Sequence, residues 1–261
     1  MLLTREVRFI VGSSSGLPEA HAWGGGPATT GVQPYLVVRA RIEGEPDALT
    51  GYVCNISWVD GVVREHAVPA VNGLVAHGPC GGERLVRAVA GELLSHVPPG
   101  GRWVDWRVGL TPCLWYGVKA EKLDMVEVKQ VFEFSAAHRL HCPALSEEEN
   151  RQAFGKCGNP SGHGHNYVVE VTVAGEPDGR TGVLLPVSQF EQVVKERVID
   201  RLDHRYLHTD CPEFAAMNPS VENIVRVIWG LLHGRFGPAE LKRVCVWETP
   251  RTCAEYEGPE G

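Results

Sequence analysis

His163-Gly-His165 sets two imidazoles two residues apart, and on an extended strand such positions share one face. His138, at the end of an apolar run that alternates with polar residues, can bring a third ring from a neighbouring strand. Three imidazole nitrogens with the fourth position left to water or substrate are the donor set of a catalytic zinc, whereas a structural zinc is closed by four protein ligands. Cys157 lies six residues before His163, and a thiol beside a dication ionises readily enough to act as a base or nucleophile. A single histidine is usually a surface or hydrogen-bonded core residue. The three rings together with Cys157 point to metal chemistry.

The elements that must hold these groups follow from periodicity. Val126–Phe134 and Asn166–Val173 alternate as half-buried strands, and Gly175-Glu-Pro-Asp-x-x-Thr-Gly182 punctuates the chain as a turn. Ser188–Leu202 and Ser220–Leu232 have apolar residues at helical spacing, and Asn218-Pro-Ser220 supplies a capped start for the second helix. Leu241–Trp247 and Thr252–Tyr256 complete the set as strands. The order strand, strand, helix, helix, strand, strand predicts an α+β unit with an antiparallel four-stranded sheet and both helices on one face.

Composition narrows the functions. Hydrophobic residues make up 43% and charged residues 22% of the 261, the balance of a folded globular chain with room for two domains. A net charge of −7 excludes a protein held to nucleic acid by phosphate contacts, although a local cationic pocket for a small anion is compatible with it. Neither a signal-peptide stretch nor a run of about 18 apolar residues occurs, so a soluble cytoplasmic protein with no membrane partner is expected. The eight cysteines are irregularly spaced without a Cys-x-x-Cys pair, which reads as mostly buried thiols.

The chain also matches itself. Tyr35–Gly51 runs parallel to Tyr167–Gly182, with Gly-Glu-Pro-Asp beginning at 44 and again at 175, a separation of 131. Glu83-Arg-Leu-Val-Arg matches Glu222-Asn-Ile-Val-Arg, and Thr111-Pro112 matches Thr249-Pro250, at separations of 139 and 138. Three matches in one order predict two tandem units, 1–122 and 123–261, the first shorter by about eight residues ahead of its last helix. The first lacks the ligands. Val7–Gly12 has no histidine, Gly31-Val-Gln-Pro34 stands in place of His163-Gly-His165, and Leu110 in place of Glu248.

Phe134-Ser-Ala-Ala-His138, Leu145-Ser-Glu-Glu-Glu-Asn150, Phe154-Gly-Lys-Cys157-Gly-Asn-Pro-Ser-Gly-His163-Gly-His165-Asn-Tyr, Leu202-Asp-His204, Ser220-x-Glu222-Asn and Val246-Trp-Glu248-Thr together resemble the 6-pyruvoyl-tetrahydropterin synthase family across the whole second half. The resemblance implies tandem tunnelling-fold units and a Zn2+ enzyme that converts 7,8-dihydroneopterin triphosphate into a 6-pyruvoyl pterin with loss of triphosphate. It further implies His138, His163 and His165 as metal ligands, Cys157 as catalytic thiolate, and Asp203 and His204 as its proton-shuttling partners. Glu248 becomes the pterin anchor, with Glu222 and Ser220 as further substrate contacts. A carboxylate suits that anchor because the pterin edge offers an exocyclic amine and a ring N–H side by side. The chain departs from the family pattern at Pro186, where Asp or Asn is usual, and at Asn218-Pro-Ser-Val221, where threonines are common.

Two rivals follow from the same residues. A 6-carboxy-tetrahydropterin synthase of the queuosine pathway would use the same substrate, metal and triad types, but its cysteine usually lies nearer the His-Gly-His. A non-catalytic pterin-binding scaffold is the other. A relative that replaces the cysteine by glutamate is disfavoured by Cys157 itself. The resemblance also implies a homo-oligomeric ring, in which Glu65-His66, 138 residues before Asp203-His204, is a candidate to line a shared site.

Overall fold

Alternating burial marks the strands of the first unit. In β2 (Tyr35–Gly44) the side chains of Leu36, Val38, Ala40 and Ile42 are buried. Those of Arg39 and Arg41 lie on the other face, paired with Glu6 and Asp105. The computed structural model describes residues 1–12 and 34–259. Its packing separates a first unit, Met1–Val128 with Gly175–Leu184, from a second, Lys129–Ala174 with Leu185–Gly261.

In the first unit β1 (Leu2–Ile10), β2, β3 (Gly101–Thr111) and β4 (Leu114–Lys119) lie side by side in that order, and each of these pairs is antiparallel. Between β2 and β3 come α1 (Ile56–Val62), a π turn Val63–Ala67, α2 (Val68–Val75) and α3 (Gly82–Leu94). Val59, Val63, Val71, Val86 and Val89 of these helices are fully buried, as are Val38, Trp106 and Val108 of the sheet. Burying each such side chain contributes about 1.5–3 kcal/mol.

The second unit takes the latter part of β5 (Lys122–His138), then β6 (His163–Gly175), β8 (Glu240–Thr249) and β9 (Thr252–Tyr256), in that order across the sheet. A two-residue strand, β7 (Arg205–Tyr206), runs parallel to the end of β5 at Ala136 and Ala137. The helices are α4 (Glu147–Phe154), α5 (Val187–Val194), α6 (Asp200–Leu202), α7 (Leu207–Asp210) and α8 (Val221–Leu232). Val221, Ile224, Val225, Ile228, Trp229 and Leu232 bury one stripe of α8, the three-and-four spacing of an amphipathic helix.

Two features differ from the reading of the sequence. Ser188–Leu202 is not one regular helix, because a π turn, Lys195–Ile199, separates α5 from α6. Phe190, Val194, Val198 and Leu202 recur every four residues and are all fully buried. Four exceeds the 3.6 residues of an α-helical turn, and one wider turn keeps all four on the same face. The second feature is α4, which carries no apolar stripe for periodicity to detect. It begins at a capping box of Ser146 and Glu149.

The turns after β2 and β6 are built alike. Asp47 Oδ1 accepts from the N–H of Leu49 and Thr50 and from the Thr50 hydroxyl. Asp178 Oδ1 does the same with Arg180 and Thr181. Gly51 and Gly182 close the two turns at φ 72° and 71°, a conformation that favours glycine.

Candidate functional site

His138 is the last residue of β5, and His163 and His165 open β6. Gly162 delivers β6 to this place at φ 69°; a side chain there would meet the Tyr206 hydroxyl at 2.7 Å and the His138 carbonyl at 3.0 Å. The three ring centroids stand 4.5, 5.1 and 4.8 Å apart, and one nitrogen from each ring lies within 4.8 Å of the others.

The protonation pattern prepares these rings for a metal. His138 Nδ1 donates to the Pro219 carbonyl at 2.7 Å, which leaves its Nε2 lone pair directed at His163 Nε2, 3.0 Å away. Nitrogens sharing a tetrahedral zinc at about 2.0–2.1 Å stand roughly 3.3 Å apart, close to that separation. His165 Nε2 is buried with no hydrogen-bond partner, the mark of a donor atom awaiting a ligand. The residues therefore fit a metal ion bound by three nitrogens.

Burial lowers the His138 pKa from 6.5 to about 4, opposed by its bond to Pro219 and aided by the neighbouring histidines. Burial also lowers His165, against the pull of Glu248. Neutral imidazole at physiological pH is the ligating form. In the metal-free protein, the unfolded state binds more protons than the folded one between pH 6.5 and about 4. Stability should thus fall as pH drops through that window and level off below it. Thermal melts of metal-free wild type and His138→Gln should show the slope in the wild type and a reduced one in the variant.

Glu248, on β8, brings Oε1 to 3.4 Å from His138 Nε2 and 3.7 Å from His165 Nε2. Its carboxylate thus faces the triad from the adjacent strand. Tyr167 continues the face of His163 and His165; its hydroxyl lies 3.4 Å from His138 Nδ1. Burial pushes that phenol up, with further contributions from Glu248 and Cys157. Sequence reasoning missed Tyr167 and the Pro219 carbonyl. The period-2 continuation His163, His165, Tyr167 was the available signal for the first, and no signal existed for the second.

Cys157 sits half-buried in a 3-10 turn, Gly155–Gly158. Its carbonyl accepts from Leu140 N–H at 2.9 Å, and the Gly158 carbonyl accepts from Arg139 Nε at 3.2 Å. The segment leaving β5 just after His138 therefore holds the turn that carries the thiol.

Asp203 and His204 follow α6. Asp203 Oδ1 accepts from Ser135 N–H at 2.8 Å, and Oδ2 accepts from His204 Nδ1 at 2.8 Å. The Ser135 bond, ahead of the contribution from His204, holds the Asp203 carboxyl below its usual range. With Nδ1–H committed, Nε2 of His204 is the free acceptor, the arrangement of a carboxylate-oriented base. Among the described residues His204 alone, apart from glycines, has positive φ, at 55°; such strain gathers at functional sites. His165, Asn166, Ser135 and His204 line one cavity of about 640 Å3, which brings a candidate ligand histidine and the candidate shuttle to a common space.

The other expected residues sit differently. Ser220 is the N-cap of α8 and its hydroxyl accepts from Asn223 N–H, while Glu222 is exposed in the first turn. His141 faces Glu147 at 3.8 Å, and His208 packs on Tyr206. Glu65 and His66 lie inside the first unit's π turn, at the place that Arg197 and Val198 hold in the second unit's, and not beyond the helix as Asp203 and His204 do. Gly31, Val32 and Gln33 lie outside the described residues.

An antiparallel α+β unit that converges three imidazoles, with a carboxylate-backed histidine lining the same cavity as one of them, has the side chains of an enzyme site able to hold a metal. A family model, 6-pyruvoyl tetrahydropterin synthase, matches residues 127–259, the part that carries all of these groups. The 6-pyruvoyl tetrahydrobiopterin synthase of Drosophila melanogaster is 42% identical over 127 residues, spanning 48% of this chain and 76% of the relative. That of Homo sapiens is 41% identical over 132 residues, 51% of this chain and 91% of the relative. A solved structure of Caenorhabditis elegans 6-pyruvoyl tetrahydropterin synthase is 37% identical, covers 52% of this chain and 96% of its own, and has a TM-score of 0.49. The chain belongs to the 6-pyruvoyl tetrahydropterin synthase family, enzymes of the carbon–oxygen lyase type. No helix among the described residues is long and apolar enough to cross a membrane.

Proposed function

We propose that the second unit converts 7,8-dihydroneopterin triphosphate to 6-pyruvoyl-tetrahydropterin, releasing triphosphate, with Zn2+ held by His138, His163 and His165. The convergence of those three nitrogens beside Glu248 carries the reading. Zn2+ held by these three residues would supply a Lewis acid for charge developing on the substrate's side-chain oxygens. Cys157, as thiolate, removes a carbon-bound side-chain proton. His204, held in one tautomer by Asp203, returns or accepts the second proton at Nε2. Glu248 accepts the pterin's amine and ring N–H as a bidentate pair, and Glu222 and the Ser220 segment contribute further substrate contacts. The overall change is an isomerisation plus elimination of triphosphate, so no outside oxidant or reductant is required.

Incubation of the zinc-loaded protein with dihydroneopterin triphosphate, followed by mass analysis, tests this. A pyruvoyl product with one equivalent of triphosphate is expected. A carboxy product would move the chain to the deazapurine branch, and an unchanged substrate would leave a pterin-binding scaffold. The five residues between Cys157 and His163 favour the pyruvoyl outcome.

The first sequence copy, 1–122, is degenerate with a structural or interface role, and 123–261 is the catalytic copy. The shared element order, the two Asp-centred turns and the hairpins pairing Thr111 with Leu114 and Thr249 with Thr252 support that assignment. A homo-oligomeric ring fits strands β1 and β9, each of which, among the described residues, pairs on one side only.

A further inference from the structure

Asn150 is the single residue of α4 that is buried, at 4% exposure, and its side chain faces the segment leaving β5. Its Oδ1 accepts from Cys142 N–H at 2.8 Å. Its Nδ2 donates to the carbonyls of Cys142, Leu145 and Ser146 at 3.0, 3.0 and 3.1 Å. One amide thus grips both backbone groups of Cys142, as a neighbouring strand would, and uses its remaining donor capacity to close the loop.

Two paths lead from Asn150 to Cys157. The covalent one runs through the end of α4 and the positive-φ turn at Gly155 into the 3-10 turn. The hydrogen-bonded one runs from Cys142 back to Leu140, whose N–H meets the Cys157 carbonyl at 2.9 Å. Between them, His141 N–H is held by Asn218 Oδ1 at 2.8 Å, beside the Pro219 carbonyl that orients His138. The segment that carries the thiol and the segment that follows the metal ligand are therefore locked into one closed circuit, and Asn150 supplies the largest share of its side-chain bonds.

We propose that Asn150 is a positioning residue for Cys157, setting the thiol against the histidine cluster through Cys142 and Leu140 without touching substrate or metal. The proposal rests on the reading of Cys157 as the reaction's thiolate. A displacement of about 1 Å in a reacting group can cost on the order of 10²-fold in rate.

The test uses the full-length, zinc-loaded protein with Asn150→Ala and Asn150→Asp. The aspartate keeps the shape and the acceptor for Cys142 but removes the Nδ2 hydrogens and sets a carboxylate against three carbonyl oxygens. Expected in both variants is hydrogen exchange accelerated about tenfold or more in peptides covering 139–158, with exchange in β6 and β8 unchanged. Zinc should remain bound, and kcat on dihydroneopterin triphosphate should fall about 10- to 100-fold with KM within about threefold. Unchanged exchange at 139–158, or accelerated exchange with full kcat, overturns the proposal. Loss of zinc with faster exchange throughout the unit in both variants also overturns it, because Asn150 would then hold the fold and not the thiol. Should wild type itself fail to turn over this substrate, the activity reading fails, and the exchange pattern still decides whether Asn150 holds the Cys157 turn.

Discussion

Replacing Cys157 by alanine lowers turnover of dihydroneopterin triphosphate by about 10²- to 10⁴-fold, the range general acid–base groups supply, while the bound metal is retained. The separation of the two effects follows from the site. The three nitrogens proposed to hold the metal belong to His138, His163 and His165, and the tether from Leu140 ends on the Cys157 backbone carbonyl, so the substitution removes the sulfur and leaves the turn in place. Metal analysis of wild type and variant alongside single-turnover kinetics measures both. Cys157→Ser should behave almost as poorly, since a hydroxyl in the same place yields its proton far less readily than a thiol. Undiminished product formation in the alanine variant would remove the thiolate from the mechanism and leave His204 as the base.

Replacing His163 by alanine abolishes metal binding and turnover together. Substitutions that only disturb a ligand's supporting bonds typically weaken metal affinity 10- to 100-fold, so deleting one of three ligands should exceed that range. The variant should also lose the stability that metal binding adds, about 2.7 kcal/mol at a metal concentration 100 times Kd. Chelation of wild type should produce the same loss of turnover, restored by added zinc. His141→Ala and His208→Ala serve as controls: His141 faces Glu147, His208 packs on Tyr206, and both variants should keep the metal. A His163→Ala protein that still bound one zinc per chain and still turned over would show that the three rings are not the ligand set.

How much of this could be read from residues alone depends on how far apart the interacting groups lie in the chain. The pairing of His163 with His165 needs only the period of a strand, and the buried stripe of α8 only the period of a helix; both local rules were sufficient. The same rule failed for Ser188–Leu202, where the four-residue spacing required a π turn that only tertiary packing could select. The lack of an apolar face hid α4 from periodicity altogether.

The sequence by itself determined the α+β class, the strands and principal helices of the second unit, and the types and order of the groups that meet at the site. Tertiary structure alone decided which atoms those groups present. The proton on His138 Nδ1 is set by a carbonyl 81 residues away, the tautomer of His204 depends on an Asp203 held by a backbone N–H 68 residues away, and Glu248 becomes a neighbour of the triad only when β6 pairs with β8. Backbone donors and acceptors are the same at every residue, so their partners leave no mark on residue type, and only the folded chain chooses among them.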